Sequence, residues 1–114
     1  AAAAVLKRLK AARQAFVEVV DFVAGQTKAS PNAVFAGSVP YLMLAGNLVA
    51  GWQLARSLII AQDLASRSVD TDFMQAKIVT ARFYAEHILN KVPGIRDSIV
   101  DGAESVTALA LDAF

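Results

Sequence analysis

The chain has 114 residues, a net charge of +1 and 56% hydrophobic residues. That length supports one domain with a core of its own, and the charge balance gives no pull toward nucleic acid or an anionic membrane surface. The absence of cysteine excludes a disulfide framework and a thiolate zinc site.

Residues 1–24 have helical period. Val5, Leu9, Ala12, Phe16, Val19 and Val23 fall on one stripe with Val20 beside it, while Lys7, Lys10, Gln14, Glu18 and Asp21 lie away from it. No Ser, Thr, Asp or Asn precedes this helix, and its first charges, Lys7, Arg8 and Lys10, are cations at the positive end of the helix dipole. The chain also lacks an initiator Met and a signal-peptide pattern. Its opening reads as the interior of something longer.

Gly25 to Ser30 is a connection. Ser30-Pro31 is a cap followed by proline at the first helical position. Residues 31–66 read as one long helix that Pro40 kinks, because its ring cannot donate and crowds residue 36. From Ala29 to Ala55 no residue is charged, a run long enough to span a bilayer. Within it the stripe of Tyr41, Leu44, Leu48, Trp52, Ala55 and Ile59 is mostly large, and predicts core packing for Tyr41 and Trp52. Roughly opposite lie Gly46, Ala50, Ser57 and Ala61, all small. Gly37, Gly46 and Gly51 each sacrifice about 1 kcal/mol of helix propensity against alanine, which predicts close approach of another backbone, above all at Gly46 and Ala50. The first half of the helix is expected to be covered on all sides, with the Asn47 amide hydrogen-bonded. From Gln53 onward a polar strip of Gln53, Arg56, Asp63 and Arg67 predicts one wet edge. That strip, and a strictly apolar part confined to Val39–Trp52, argue for a buried bundle helix over a membrane span.

Residues 66–72 form a turn, with Asp70 and Thr71 as cap candidates and Asp72 in the first turn of a third helix. That helix runs to about Val92 on a core stripe of Met74, Ile78, Ala81, Ala85, Ile88 and Val92, and Pro93-Gly94 stops it. A short fourth helix over 95–101 ends at Gly102. The predicted fold is all-α: an antiparallel bundle of three long helices plus a short C-terminal helix, in a single domain over 1–114.

Catalytic constellations are thin. His87, the only histidine, has Phe83, Tyr84, Asn90 and Lys91 as its neighbours on the helix surface and no carboxylate three or four residues away, and reads as a surface or rim residue. The Glu-x-x-His signature of carboxylate-bridged metal bundles is absent, and "GNLVAG" lies mid-helix without the phosphate-cradling pattern. Asp63–Arg67 and Arg82–Glu86 are i,i+4 pairs on solvated edges. Asp97 and Asp101 repel at the same spacing and predict a solvent face. Val79 and Phe83 lie opposite the stripe of the third helix and Phe22 off the stripe of the first, which predicts docking surface. No residue is assigned a catalytic, cofactor-binding or metal-binding role.

Two blocks carry a resemblance. "PNAVFAGSVPYLMLAGNLVAGWQLAR", residues 31–56, resembles the start of the C-terminal helical domain of bacterial acyl-CoA dehydrogenases through Pro40, Tyr41-Leu42, Gly46 and Gly51-Trp52 in that order. "KIVTARFYAEHILNKVPGIRDSIVDGAESVTALALDAF", residues 77–114, is similar to the ending of the same family. Met43 departs from a polar residue frequent in the family soon after Tyr-Leu. The resemblance implies a longer, cytoplasmic flavoenzyme whose FAD takes a hydride from an acyl-CoA while a carboxylate takes the alpha proton, giving the 2,3-enoyl-CoA. It implies that FAD and acyl-CoA belong to upstream domains. This chain would then be a non-catalytic C-terminal fragment that packs on those domains or on another subunit of a homo-oligomer, with no nucleic-acid or membrane partner. The competing readings are a free-standing helical interaction protein and a small membrane-associated helical protein.

Overall fold

The computed structural model describes residues 1–114 and contains only helices and turns. Three long helices form the frame: α1 (Ala2–Gln26), α3 (Ser38–Ser66) and α4 (Thr71–His87). Shorter elements are α2 (Pro31–Ala36), α5 (Val92–Val100) and α6 (Ala103–Val106), with single 3-10 turns at Leu89–Lys91 and Leu111–Ala113. The all-α bundle read from the sequence is therefore correct in class and in its three long members.

α1 buries Val5, Ala12, Ala15 and Val19, with Leu9, Phe16 and Val23 packed against that core. This is the predicted stripe, extended by Ala15; Val20 stays on the exposed side. Phe22, expected at a bare surface, packs against the core, because it lies within reach of Val19 one turn away. The helix runs two residues further than predicted, through Gly25 to Gln26, since that glycine keeps a negative φ.

Pro40 and Pro93 both act upstream of themselves. The predicted single helix over 31–66 is broken at Gly37 (φ −91°, ψ 7°) instead of kinked at Pro40. Pro40 has no N–H for the carbonyl of Ala36 and its ring crowds that carbonyl. Starting a new helix at Ser38 puts Pro40 in a first turn, where the missing N–H would have had no helical partner. Gly37 is also buried, and a Cβ there would lie 3.0 Å from Ile99 Cγ2. The same physics corrects the other boundary. The third long helix ends at His87, not near Val92, and the chain passes through the Leu89–Lys91 turn into α5. Pro93 occupies the first turn of α5 and Gly94 continues it, so Pro93-Gly94 opens a helix where it was expected to close one.

The long helices pack antiparallel. Phe16 of α1 meets Tyr41 of α3 with ring centroids 6.2 Å apart, while the beginning of α1 lies against Ile59. Ile60 and Leu64 of α3 face Phe73 and Met74 of α4, and the far end of α4 returns to Asn47 and Gly51. α5 lies along α1, and α6 packs on α2. Leu44, Leu58, Leu89, Ile99, Val19 and Val92 are the largest fully buried side chains.

On α3 the buried face is Leu44, Gly51, Leu58 and Ala61, repeating every two turns. Tyr41, Leu48 and Ala55 from the predicted stripe are half-buried, but Trp52 (50%) and Ile59 (65%) are exposed. The first half of α3 is not covered on all sides: Val39 is 72% exposed, and Leu42 and Val49 lie bare with it. Gly46 and Ala50 face outward, and a Cβ on Gly46 would meet nothing within 4 Å. Close approach occurs at Gly51, where a Cβ would fall 2.7 Å from both Leu89 methyls.

The molecule is long and thin, 66 × 27 × 17 Å, with a radius of gyration of 18.3 Å, against about 13 Å for a compact domain of this length. Its accessible surface is 7381 Å², whereas a compact monomer of 12.1 kDa exposes roughly 6,000 Å². The excess is comparable to one partner's share of a protein–protein interface, about 800 Å² or more.

The two glycines of α3 are expected to behave oppositely. Gly46→Ala should stabilise the chain by about 0.5–1 kcal/mol, since alanine restores helix propensity in open space. Gly51→Val should cost about 1–3 kcal/mol by driving into Leu89. Urea denaturation followed by circular dichroism checks both; equal midpoints would show that α3 does not cross Leu89 at Gly51.

Candidate interaction surface

The charged residues pair along helix edges and at joints between helices. Asp63–Arg67 (3.2 Å) and Arg82–Glu86 (2.9 Å) pair on solvated edges as the sequence indicates. Asp97 and Asp101 do not simply repel: Arg96 Nη1 donates to a carboxylate oxygen of each at 3.0 Å. Arg96 Nε donates to Glu18 of α1, also at 3.0 Å, so one guanidinium ties α5 to α1. The hydrogen bond to Asp97, with further attraction from Asp101 and Glu18, raises the Arg96 pKa above its ordinary value, against the opposing effect of desolvation. The spacing of the two acids is visible in the sequence, but the cation between them depends on how α5 turns its face to α1.

Tyr84 supplies the second polar joint. Its hydroxyl donates to the Asn47 carbonyl at 3.0 Å, linking α4 to α3. The hydrogen bond expected at the Asn47 amide is thus made by the main chain instead; the half-buried amide has no protein partner, and no buried side-chain polar atom is left unpaired. Burial pushes the Tyr84 hydroxyl above its usual pKa.

His87 is exposed and stacks on Phe83, ring centroids 4.5 Å apart. No three His, Asp or Glu side chains converge as a metal site. No polar or charged side chain is buried anywhere in the chain, and no step of flavin chemistry is derived from these residues.

What the chain presents instead is apolar surface. Val79 and Phe83 on α4 are more than half exposed, as predicted. Val39, Leu42, Val49 and Ile60 form a bare stripe on α3. Gln53, Arg56 and Asp63 lie on the same face and are exposed. By length and composition α3 is able to cross a membrane, with 17% of its apolar window buried; Arg56 and Asp63 stand on its bare face in the second half of the helix.

Beside the stripe, α1 and α3 enclose a shallow groove of two adjoining depressions, about 250 and 270 Å³, that share Leu9 and Trp52. Arg13 stands at one and Arg56 at the other. The Arg56 guanidinium lies over the Trp52 ring, 5.5 Å from its centroid. Each depression is open and smaller than a typical small-molecule site of about 300–1,000 Å³. Trp52 was expected in the core; the i,i+4 spacing of Trp52 and Arg56 was the one sequence signal for its place at the rim.

The family described as acetyl-CoA dehydrogenase C-terminal like matches residues 1–110. The chain belongs to this family. It is also 38% identical, over 111 residues, to the 3-methylmercaptopropionyl-CoA dehydrogenase of Ruegeria pomeroyi (strain ATCC 700808 / DSM 15171 / DSS-3). That match covers 97% of this chain and 19% of the relative, so the chain spans about a fifth of the length of the protein it resembles. No solved structure matches it.

Tyr84→Phe should cost about 0.5–1.5 kcal/mol, the net worth of one hydrogen bond. The raised pKa of the folded state also fixes a pH dependence. Below the unfolded tyrosine value both states keep the proton and the stabilisation is complete; as pH rises past that value the unfolded chain ionises first and stability falls. Denaturation midpoints of wild type and Tyr84→Phe should therefore converge above about pH 10. A constant gap across that range would show that the hydroxyl is not buried by α3.

Proposed function

We propose that this chain is the C-terminal, non-catalytic helical domain of a cytoplasmic FAD-dependent acyl-CoA dehydrogenase, packing on the remaining domains of that enzyme. The observation that carries the reading is the 38% identity with a named CoA dehydrogenase across nearly all of this chain. Such an enzyme oxidises an acyl-CoA to the 2,3-enoyl-CoA, and FAD supplies the hydride acceptor when bound to the other domains.

The physical features of the chain support a packing role. The bare residues Val39 and Leu42 of α3 and Val79 and Phe83 of α4 place apolar area in water that a contact would remove, at roughly 25 cal/mol per Å². Gly46 sits at the edge of the α3 stripe and gives up helix propensity without any neighbour in this chain that needs the space. A second helix crossing there would use it. Arg56 and Asp63 on the same face favour a protein partner over lipid.

The full polypeptide should purify with FAD and reduce an artificial electron acceptor when given acyl-CoA, while residues 1–114 alone should do neither. Leu42→Asp with Phe83→Asp should leave the helical content of the 114-residue chain unchanged but weaken thermal stability and flavin retention in the full polypeptide. Stoichiometric FAD binding by the 114-residue chain, or a full polypeptide without flavin, would overturn the assignment.

A further inference from the structure

We propose that α3 of a second copy of this chain crosses the bare face of α3 antiparallel, on a twofold axis at Gly46. Gly46 is exposed, and a Cβ there would meet nothing within 4 Å. Around the helix it lies opposite the buried Leu44 and Gly51. Val39, Leu42, Met43 and Val49 stand within about 60° of it, and each is more than half exposed. Ala50 and Gln53 complete the same face and are exposed too. Within this chain the glycine gives up helix propensity for no gain in packing. At the middle of a helix crossing it lets two backbones come close.

The face is its own complement. In a twofold contact residue i of one copy meets residue j of the other, and j meets i. With the axis at Gly46, Leu42 meets Ala50 of the second copy, Val39 meets Gln53, and Met43 meets Val49. Helical spacing sets such pairs on any helix; here the residue types make them fit. The glycine sits at the closest point, and Leu42 faces a small residue. No residue from Ala29 to Ala55 is charged, so no like charges oppose each other across the axis. The nearest charge, Arg56, would face the uncharged Ala36 of the second copy. The two Arg56 side chains would lie about 30 Å apart, well beyond the Debye length of about 8 Å at physiological salt.

The chain also has the area to give. Its accessible surface of 7381 Å² exceeds that of a compact monomer of its mass, roughly 6,000 Å², by more than the share of about 800 Å² that each partner contributes to a standard interface. Elements of the same chain cover the other sides of α3, and the Gly46 face is the one left bare. A second α3 supplies the missing neighbour and has the same face to bury. Val79 and Phe83 lie on α4, outside this crossing, and stay available to the remaining domains.

This contact fills part of the surface to which the proposed packing role is assigned, and it rests on that role. It is tested in the full polypeptide with single cysteine variants. This chain supplies no cysteine of its own, and the unsubstituted polypeptide gives the blank for any outside it. Gly46→Cys enters open space, and on a twofold axis it meets its own copy. Oxidation should therefore give a disulfide-linked dimer, several-fold above the exposed control Val79→Cys. At Leu42 and at Ala50 the two copies lie about 12 Å apart along the axis, beyond the disulfide limit of about 7 Å between Cα atoms. Leu42→Cys and Ala50→Cys should each stay at the control yield alone, but link to each other several-fold above it when co-expressed with different tags. Leu42→Glu added to Gly46→Cys should cut the link several-fold, and Ala50→Lys in the same chain should restore it, because each glutamate then faces a lysine of the other copy. Gly46→Cys at the control yield overturns the inference. So does self-linking by Leu42→Cys, the mark of a parallel crossing. Flavin content is measured on the same preparations: normal flavin without the Gly46→Cys link sinks this contact alone, and missing flavin sinks the enzyme assignment.

Discussion

α3 carries apolar residues around its whole circumference from Val39 to Trp52, and a chain of this length has only two other long helices to set against it. Two neighbours cover two sides of a cylinder. α1 takes the side of Tyr41 and Leu48, and α4 takes the side of Asn47 and Ala61; the third side stays in water. The thin outline, the excess surface and the bare stripe all follow from that mismatch between one helix's hydrophobicity and the number of helices available to bury it.

Within the covered part, packing is held to one register by few but specific contacts. Gly51 lets Leu89 come close enough that α4 and the turn after it settle in α3's central groove. Tyr84 fixes the same pair of helices by reaching the Asn47 carbonyl, and Arg96 fixes α5 on α1 by holding Glu18 while it also neutralises Asp97 and Asp101. None of these polar groups is deeply buried, so each orients helices without a large desolvation cost. Every side chain that is fully buried is apolar. On the outer surface Arg13 and Arg56 border apolar depressions.

Family membership and geometry meet at this point. A domain that represents about a fifth of its relative need not form a closed core of its own, since neighbouring protein can complete it. The exposed stripe of α3 and the exposed residues of α4 are the parts an isolated bundle would replace with polar residues. Their presence beside a well-formed core is what supports the proposed packing role.

The sequence by itself determined the all-helical class, the three long helices, the buried stripes of α1 and α4, the exposed polar strip on α3 and the bare Val79 and Phe83. Each of these is a matter of period along one helix, and period is local. It also carried the family, through the order of Pro40, Tyr41-Leu42, Gly46 and Gly51-Trp52. The tertiary structure decided which of α3's apolar faces is covered, because a helix that is apolar all round has no internal preference. It therefore moved the close approach from Gly46 to Gly51 and placed Trp52 at a groove rim instead of in the core. It decided the helix ends too: each proline perturbs the carbonyl four residues before it, and whether the chain kinks or restarts depends on what packs there, Ile99 against Gly37 in one case and Leu89 against Gly51 in the other. The joints at Arg96 and Tyr84 unite residues far apart in the chain, and no spacing rule within one helix encodes them.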